Sequence, residues 1–352
     1  MNYEIELDDL IMTLVKEAGS DLHLTVGNFP TVRVSGELIP LTKKKELKAE
    51  DTLGFLKEMV GEKTFTSFVV KQELDFSYEH KREYRLRGNA YFQKGFISIS
   101  LRLIPKPKTI QELGLPQILA DISRRREGFF LVVGPVGQGK TTTMAAIISL
   151  INKESKRHII TIEDPIEFLF QQDKSLIEQR QIGLDSKDFH TALVSSFRQD
   201  MDVIMIGEMR DKETMSTAVT AAETGHLVLS TLHTNSASQT IDRIIDTFPS
   251  DQQNQIRTQL ASSLIGILSQ RLLPRVSGGM IPVCELLLNT TAVSNIIREN
   301  RTHEIDVMIE TGTNEGMIDF NRSLADLVRK GEILQEVALE RSRNPNGLKR
   351  LI

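Results

Sequence analysis

The pattern of apolar and polar positions in the first hundred residues predicts a small α+β unit. Apolar residues recur at helical spacing near the start, and Gly19-Ser20 then ends the helix. Later segments alternate between apolar and polar residues, as strands do. The predicted elements are helix 7–18, strands 21–25 and 31–34, helix 53–60, and a hairpin of strands 84–92 and 96–103.

From residue 128 onward, short apolar strands alternate with amphipathic helices, which is typical of a mostly parallel sheet with helices on both faces. The expected fold class is therefore α/β. From residue 260 to the end, the pattern predicts helices. The predicted elements before that point are strands 129–133, 159–162, 203–206 and 226–230, with helices beginning at residues 140 and 211.

Between these two regions, two prolines alternate with two lysines at residues 105–108, which favours an extended, solvated backbone. We therefore predict an N-terminal domain at 1–104, a linker at 105–115 and a second domain at 116–352 that ends in a helical subdomain. Two domains also agree with a length of 352 residues.

Composition narrows the functional classes. The hydrophobic share of 40% and the charged share of 26% are ordinary for a globular protein, and the net charge of -4 argues against a protein that mainly grips nucleic acid. With Cys284 as its one cysteine, the chain forms no internal disulfide and no cysteine-based zinc site. No secretory signal or membrane-spanning stretch is predicted, so we expect a cytoplasmic protein that reaches a membrane only through a partner or its surface.

A glycine-rich segment after strand 129–133 matches the P-loop pattern G-x-x-x-x-G-K-[ST] at every position. Its glycines let main-chain N–H groups turn toward phosphate oxygens, and the following helix N-terminus adds partial positive charge. Lys140 would reach the β- and γ-phosphates of ATP, and the Thr141 hydroxyl would ligate Mg²⁺. The predicted nucleotide-binding residues here are Gly134, Pro135, Val136, Gly137, Gln138, Gly139, Lys140, Thr141 and Thr142.

Carboxylates follow two of the apolar strands. Glu208 lies at a strand end, where open α/β sheets bind their ligands. It could hold Mg²⁺ through water, or it could polarise the attacking water. Glu163, Asp164 and Glu167 lie together after another strand and would repel one another unless a cation or a donor lies among them. We predict a site there, with an acidic solvated turn as the alternative.

Two histidines lie near the ends of strand 226–230: His226 is its first residue, and His233 lies three residues beyond its end. A lone histidine in such a place is usually a hydrogen-bonded core residue. His226 and His233, with Thr231 and Thr234 beside the second, favour a sensor of the γ-phosphate instead.

Taken together and in this order, these segments resemble the secretion and type IV pilus motor ATPases, and among them the pilus retraction ATPases. The resemblance covers nearly the entire chain and implies a PAS-like N-terminal domain, a RecA-like ATPase domain and a hexameric ring. The segments that carry it are GSDLHL at 19–24, the P-loop, TIEDPIE at 161–167, GEMRD at 207–211, AAETGH at 221–226, TLHT at 231–234 and TIDRIIDTFP at 240–249.

The resemblance also implies roles for the site residues. Glu167 would orient the attacking water and Glu208 would serve the Mg²⁺ shell, although these two roles could be exchanged. His233 and His226 would sense the γ-phosphate.

Members of this family also bring arginines of the N-terminal domain onto the nucleotide. Arg85, Arg87 and Arg102 lie on the predicted hairpin and are the natural candidates. Each of them could equally be an ordinary surface arginine of a strand.

The function that the resemblance implies is pilus retraction, with an inner-membrane platform protein and a possible second retraction ATPase as partners, and with no nucleic acid as direct substrate. The assembly branch carries a cysteine-based zinc module and a longer N-terminal region, and this sequence has neither. The alternatives are an accessory retraction subunit, a RecA-like nucleic-acid translocase and a nucleotide-gated scaffold that does not hydrolyse ATP.

The sequence departs from the family pattern at a few positions. Val136 and Gln138 stand in the P-loop where the family more often has Thr and Ser, and neither position is expected to supply an essential side chain. Ser294 stands where the family has arginine, within a C-terminal retraction signature that is otherwise partly kept.

Overall fold

The computed structural model describes residues 2–34, 36–81 and 83–352, and the chain divides into two compact units, Met1–Lys106 and Pro107–Ile352. The division falls within the segment 105–115 that we predict as the linker. Ile110 and Leu115 are buried in the core of the second unit, so the later part of that segment packs onto this unit. None of the helices formed by the described residues has the length and hydrophobicity that a membrane crossing needs.

The first unit is a six-stranded antiparallel sheet that packs against two helices. Its elements are α1 Tyr3–Lys16, β1 Asp21–Thr25, β2 Thr31–Val34, β3 Glu37–Pro40, α2 Ala49–Lys71, β4 Glu73–His80, β5 Tyr84–Gln93 and β6 Phe96–Ile104. The strand order is β3-β2-β1-β6-β5-β4. Leu22, Leu86 and Leu101 share one face of the sheet and form a core with apolar residues of the two helices.

The predictions for this unit agree with the structure at its centre and fail at its edges. Strands β1 and β2 have the predicted bounds, and β5 and β6 match the predicted hairpin to within one residue. Helix 53–60 is the first half of α2, which continues beyond a break at Gly61, where φ is 74°. The two edge strands β3 and β4 were not predicted, because partly exposed edge strands carry a weak apolar signal.

The second unit is built around a seven-stranded sheet. Up to the last strand, its elements are α3 Leu119–Ser123, β7 Gly128–Val133, α4 Lys140–Glu154, β8 His158–Glu163, β9 Leu176–Gln181, α5 Phe189–Ser196, β10 Val203–Ile206, α6 Lys212–Glu223, β11 Leu227–Leu232, α7 Ala237–Asp246, α8 Ser250–Ser263, β12 Leu264–Pro274 and β13 Met280–Leu288. The helices that follow are α9 Thr291–Arg298, α10 Ile305–Thr311, α11 Phe320–Arg329, α12 Gln335–Arg341 and α13 Pro345–Lys349.

The strand order of this sheet is β13-β12-β7-β11-β10-β8-β9, and all pairs are parallel except β12 with β13. Every residue of β7, β10 and β11 is buried, as expected for parallel strands with both faces covered. Because the parallel strands share a direction, their carboxyl ends meet at one edge of the sheet. The predicted α/β class is confirmed.

The prediction of helices from residue 260 onward is wrong for the first part of that region. Residues 260–263 end α8, but residues 264–274 and 280–288 form β12 and β13, and the helical prediction holds again from α9 on. Most of β12 is buried, so its apolar residues form a run without the alternation of a half-exposed strand. Such a run cannot be distinguished from a buried helix by its periodicity.

We expect Gly266→Ala to destabilise the second unit, because a Cβ at this position would lie 2.4 Å from the main-chain oxygen of Leu287 on β13. Overpacking of this kind costs about 1–3 kcal/mol. Urea unfolding measures the change. Val276→Ala, at a side chain that is 59% exposed, is the control and should stay within about 0.5 kcal/mol of wild type. Equal unfolding midpoints for the two variants would contradict the close approach of β12 and β13.

Candidate functional site

The glycine-rich loop connects the buried end of β7 to the first turn of α4. Gly134, Gly137 and Gly139 have φ values of 152°, 76° and 75°, which favour glycine. A Cβ at Gly134 would also lie 2.5 Å from the main-chain oxygen of Gln270. The main-chain N–H groups of residues 136–139 donate to no acceptor among the described residues. These free donors and the helix N-terminus fit a bound phosphate group.

A cavity of about 360 Å³ opens beside this loop at the carboxyl edge of the sheet. The P-loop, the segment after β8 and the ends of β10 and β11 all contribute to its walls. The predicted site residues that line it are Val136, Gly137, Lys140, Thr141, Glu163, Asp164, Glu167, Glu208 and His233. Tertiary structure therefore brings together segments that are as far apart as residues 136 and 233.

Lys140 lies at the base of this cavity and is 8% exposed. Its Nζ donates hydrogen bonds to the carbonyl oxygens of Gly134, at 2.8 Å, and Pro135, at 3.0 Å. The same atom lies 3.2 Å from Nδ1 of His233. Burial lowers the pKa of Lys140, while the negative charge of Glu208 opposes that shift. These hydrogen bonds hold the Lys140 ammonium group next to the main chain of the P-loop, where it can contact a bound phosphate.

Glu208 is mostly buried and faces two basic side chains. Its carboxylate forms an ion pair with Arg210 and lies 3.6 Å from Nε2 of His233. His233 therefore bridges Glu208 and Lys140. Arg210 also lines the cavity. It was not predicted as a site residue, because an exposed arginine after a strand indicates a site only once the fold is known.

The three carboxylates at and after the end of β8, of which Glu163 is the last residue of the strand, differ in their surroundings. Glu163 is 4% exposed and accepts hydrogen bonds from Oγ1 of Thr161, at 2.7 Å, and Nε2 of Gln179, at 3.2 Å. Burial raises the pKa of Glu163. Asp164 and Glu167 are exposed and face the cavity. The repulsion expected among the three carboxylates is therefore reduced, because Glu163 is buried among neutral hydrogen-bond donors while Asp164 and Glu167 are exposed.

His226 does not line this cavity, and its part in sensing the γ-phosphate stays a prediction. It precedes the amino end of β11, whereas His233 follows the carboxyl end, and a six-residue strand separates them by roughly 20 Å. The ring Nδ1 of His226 lies 3.0 Å from the carbonyl oxygen of Ala221 and 3.3 Å from Oγ1 of Thr224. It is thus the locally hydrogen-bonded histidine of the alternative reading.

The three predicted arginines lie on the sheet of the first unit. Arg87 and Arg102 are direct neighbours across β5 and β6, on the face opposite the core. Nε of Arg102 lies 2.9 Å from Oδ1 of Asp21, and Arg85 donates to Oγ of Ser77 at 3.3 Å. Arg102 and Arg85 thus have partners within their own unit, and contact of any of the three with a nucleotide stays a prediction.

Metal binding at this edge would draw on few protein groups. Among the described residues, no group of three or more His, Cys, Asp or Glu side chains is arranged to hold a metal ion. Thr141 and Glu208, the predicted ligands, both line the cavity. This sparse set fits Mg²⁺, which commonly keeps several waters and takes further oxygens from substrate phosphates.

Two arginines from the C-terminal part of the chain form hydrogen bonds to Asn235, in the loop that carries His233. Nη2 of Arg271 donates to Oδ1 of Asn235 at 2.9 Å, and Nη2 of Arg343 donates to the carbonyl oxygen of Asn235 at 2.5 Å. Nη1 of Arg343 also binds Oε2 of the buried Glu285, at 2.8 Å. These contacts could not be predicted from the sequence, because the residues are distant along the chain.

Comparison with known proteins gives a consistent set of relatives. A family model described as type II/IV secretion system protein matches residues 98–317. The chain is 38% identical to the type IV pilus retraction ATPase PilT of Pseudomonas aeruginosa, over 97% of this chain and 99% of that protein. It is 39% identical to the type IV pilus ATPase PilU of the same organism, over 99% of this chain and 91% of that protein.

A solved structure is also similar over nearly the whole chain. The crystal structure of the pilus retraction motor PilT with bound ADP superposes with a TM-score of 0.87 at 41% identity, and the match covers 97% of this chain and 98% of that one.

Arg343→Met should destabilise the second unit in a pH-dependent way. Burial raises the pKa of Glu285, and Arg343 opposes that shift, so removing Arg343 raises this pKa further. A raised carboxyl pKa costs stability as pH rises through it, so the loss should be larger at pH 8 than at pH 5. We expect about 1–3 kcal/mol at pH 8, below the value for a fully buried pair, because Arg343 is 43% exposed.

Urea unfolding at both pH values measures this effect. Adding Glu285→Gln to Arg343→Met removes the titrating group and should abolish the pH-dependent part of the loss. A loss of the same size at both pH values in the single variant would contradict the assigned charge pairing.

Proposed function

Since the chain belongs to the type II/IV secretion system protein family, we propose that it is an ATP-hydrolysing motor that drives type IV pilus retraction and thereby twitching motility. The observation that carries this proposal is the cavity in which the P-loop lysine, Lys140, meets Glu167, Glu208 and His233. Near full-length similarity to the retraction ATPase PilT supports the biological role.

In this proposal ATP binds with its phosphates in the P-loop and its base and ribose in a second cavity. That cavity, of about 260 Å³, shares the loop-to-helix turn and is lined by Gly139 and Thr142 together with the apolar Leu113, Leu115 and Leu272. The apolar part of this lining suits a purine base, while Lys108, Glu112 and Arg275 line the same cavity and could face the ribose; the adjoining turn places the phosphate cradle next to them. The ADP in the PilT crystal structure supports a nucleotide ligand.

Hydrolysis follows from the groups that face the P-loop. Glu167 orients a water for in-line attack on the γ-phosphorus, the bond to the bridging oxygen of ADP breaks, and the water proton passes to a carboxylate or a phosphate oxygen. Lys140 neutralises phosphate charge, and His233 contacts the γ-phosphate. Glu208 and Thr141 would hold Mg²⁺, which would supply charge neutralisation when bound. The roles of Glu167 and Glu208 remain exchangeable, because both line the same cavity.

We further propose that the chain works as a homohexamer at the inner face of the cytoplasmic membrane. In the ring, Arg85, Arg87 and Arg102 would complete the nucleotide site, and hydrolysis would move the N-terminal domain about residues 105–108. The motion would pass to an inner-membrane platform protein, with a second retraction ATPase as a possible partner. Family membership and the exposed arginine face of the first unit support this assembly.

An accessory retraction subunit is the second candidate. The observation that favours it is the similarity to PilU, at 39% identity over 99% of this chain, which is as strong as the similarity to PilT, at 38% over 97%. An accessory subunit would need a partner ATPase to retract pili but would still bind ATP.

The test is steady-state ATPase activity, measured with oligomer mass on the same samples. We expect wild type to hydrolyse ATP as a hexamer, and Glu167→Gln and Glu208→Gln each to lose about 100-fold or more in kcat while still assembling. Lys140→Ala should lose hydrolysis altogether. Glu310→Gln, an exposed carboxylate on α10, is the matched control and should behave as wild type.

Each failure has a distinct meaning. Normal turnover in both glutamate variants would overturn the site assignment. Assembly and ATP binding without turnover in wild type would favour the scaffold or the accessory subunit. Stimulation of turnover by DNA or RNA would favour a nucleic-acid translocase.

A further inference from the structure

The side chain of Gln138, in the P-loop, continues the sheet beyond the end of β7. The pairing of β7 with β12 ends at Val133 and Ser269. Past that point, Oε1 of Gln138 accepts a hydrogen bond from the main-chain N–H of Leu272 on β12, at 2.7 Å. A loop side chain thus takes the place of a neighbouring strand at this position.

Gln270, also on β12, contacts both ends of the same loop. Its side chain is almost fully buried, and its Nε2 donates to the carbonyl oxygen of Gln138 at 2.7 Å. Its Oε1 accepts a hydrogen bond from Oγ1 of the buried Thr143 at 2.7 Å, which fixes the amide so that its NH₂ group faces the loop. Its main-chain oxygen lies against Gly134, where the loop begins.

These contacts determine the direction of one peptide group in the P-loop. The peptide between Gln138 and Gly139 is trans, so its C=O and N–H point in opposite directions. Because Gln270 binds the C=O from the β12 side, the N–H of Gly139 points away from β12. That N–H has no acceptor among the described residues and belongs to the group that we assign to phosphate binding.

We infer that Gln138 and Gln270 are positioning residues for the nucleotide. They form a clamp, made of the two hydrogen bonds to β12, that holds the 138–139 peptide with its N–H directed at the phosphates. The inference rests on the proposed function, since it concerns the same nucleotide site. It also changes the expectation for Gln138, whose side chain is not dispensable if it anchors the loop.

Two variants break the clamp in different places. Gln270→Glu keeps the size of the side chain and an acceptor for Thr143, but it replaces the donor to the Gln138 carbonyl with an acceptor. Gln138→Met keeps similar length but removes the acceptor for the N–H of Leu272. The exposed Gln335 on α12 supplies the matched controls Gln335→Glu and Gln335→Met.

The measurement is the dissociation constant of ADP by calorimetry, with kcat and KM for ATP on the same hexameric preparations. We expect Gln270→Glu to weaken ADP binding about tenfold or more, because a donor to a charged group is misdirected. Gln138→Met should weaken it about threefold to tenfold. The KM should rise more than kcat falls, since the N–H meets phosphate oxygens in the substrate and the transition state alike.

The outcomes separate this inference from the function on which it rests. If wild type binds no ADP, the proposed function fails first and the inference fails with it. If wild type binds ADP and both variants, shown to be folded by thermal melting, bind it equally well, the clamp is overturned alone. A lowered melting temperature with unchanged ADP affinity would likewise reduce the clamp to a purely structural contact and overturn it.

Discussion

The candidate site depends on the position of β7 between β11 and β12. All six residues of this strand are buried, and both of its edges are hydrogen-bonded to parallel neighbours. Because β7 is packed on both faces and paired on both edges, its carboxyl end is held in one position, and so is the start of the P-loop that follows it. The ends of β8, β10 and β11 reach the same edge because they run in the same direction. The phosphate cradle and the carboxylates that face it follow from this one constraint.

The charges at this edge are divided between two walls. The P-loop wall carries Lys140, the free N–H groups and the N-terminus of α4, and is therefore positive. The opposite wall carries Asp164, Glu167 and Glu208, and Arg210 forms an ion pair with Glu208. This arrangement suits a ligand whose negative phosphates face the P-loop while its bound cation and a water face the carboxylates. The same charges in a random cluster would mostly cancel or repel.

The loops around the cavity are anchored by residues that take no part in its chemistry. Gln270 and Arg271 on β12 hold the P-loop and Asn235, and Arg343 reaches the same asparagine from the C-terminal end of the chain. The C-terminal part of the chain is thus coupled through hydrogen bonds to the loop that carries His233.

The sequence by itself determined the candidate site residues of this protein and most of the local elements that carry them. The P-loop pattern, the carboxylates at strand ends and the family segments each lie within a few consecutive residues, so backbone propensity and side-chain type were enough to identify them. Strands such as β1 and β2, with one face more buried than the other, showed the alternation that predicts them. The same local information failed for β12, whose burial on both faces removes that alternation, and for the edge strands β3 and β4.

Only the tertiary structure decided which candidates share one site. His226 and His233 differ by seven positions, and the direction of β11 sends them to opposite edges of the sheet. Glu163 and Glu167 are closer still, yet one is buried among donors and the other is exposed. Gln270 and Arg343 carry no motif, and their roles arise from contacts across more than a hundred residues of chain. Residue type and spacing are local properties, whereas burial, strand direction and long-range contact are properties of the packed fold.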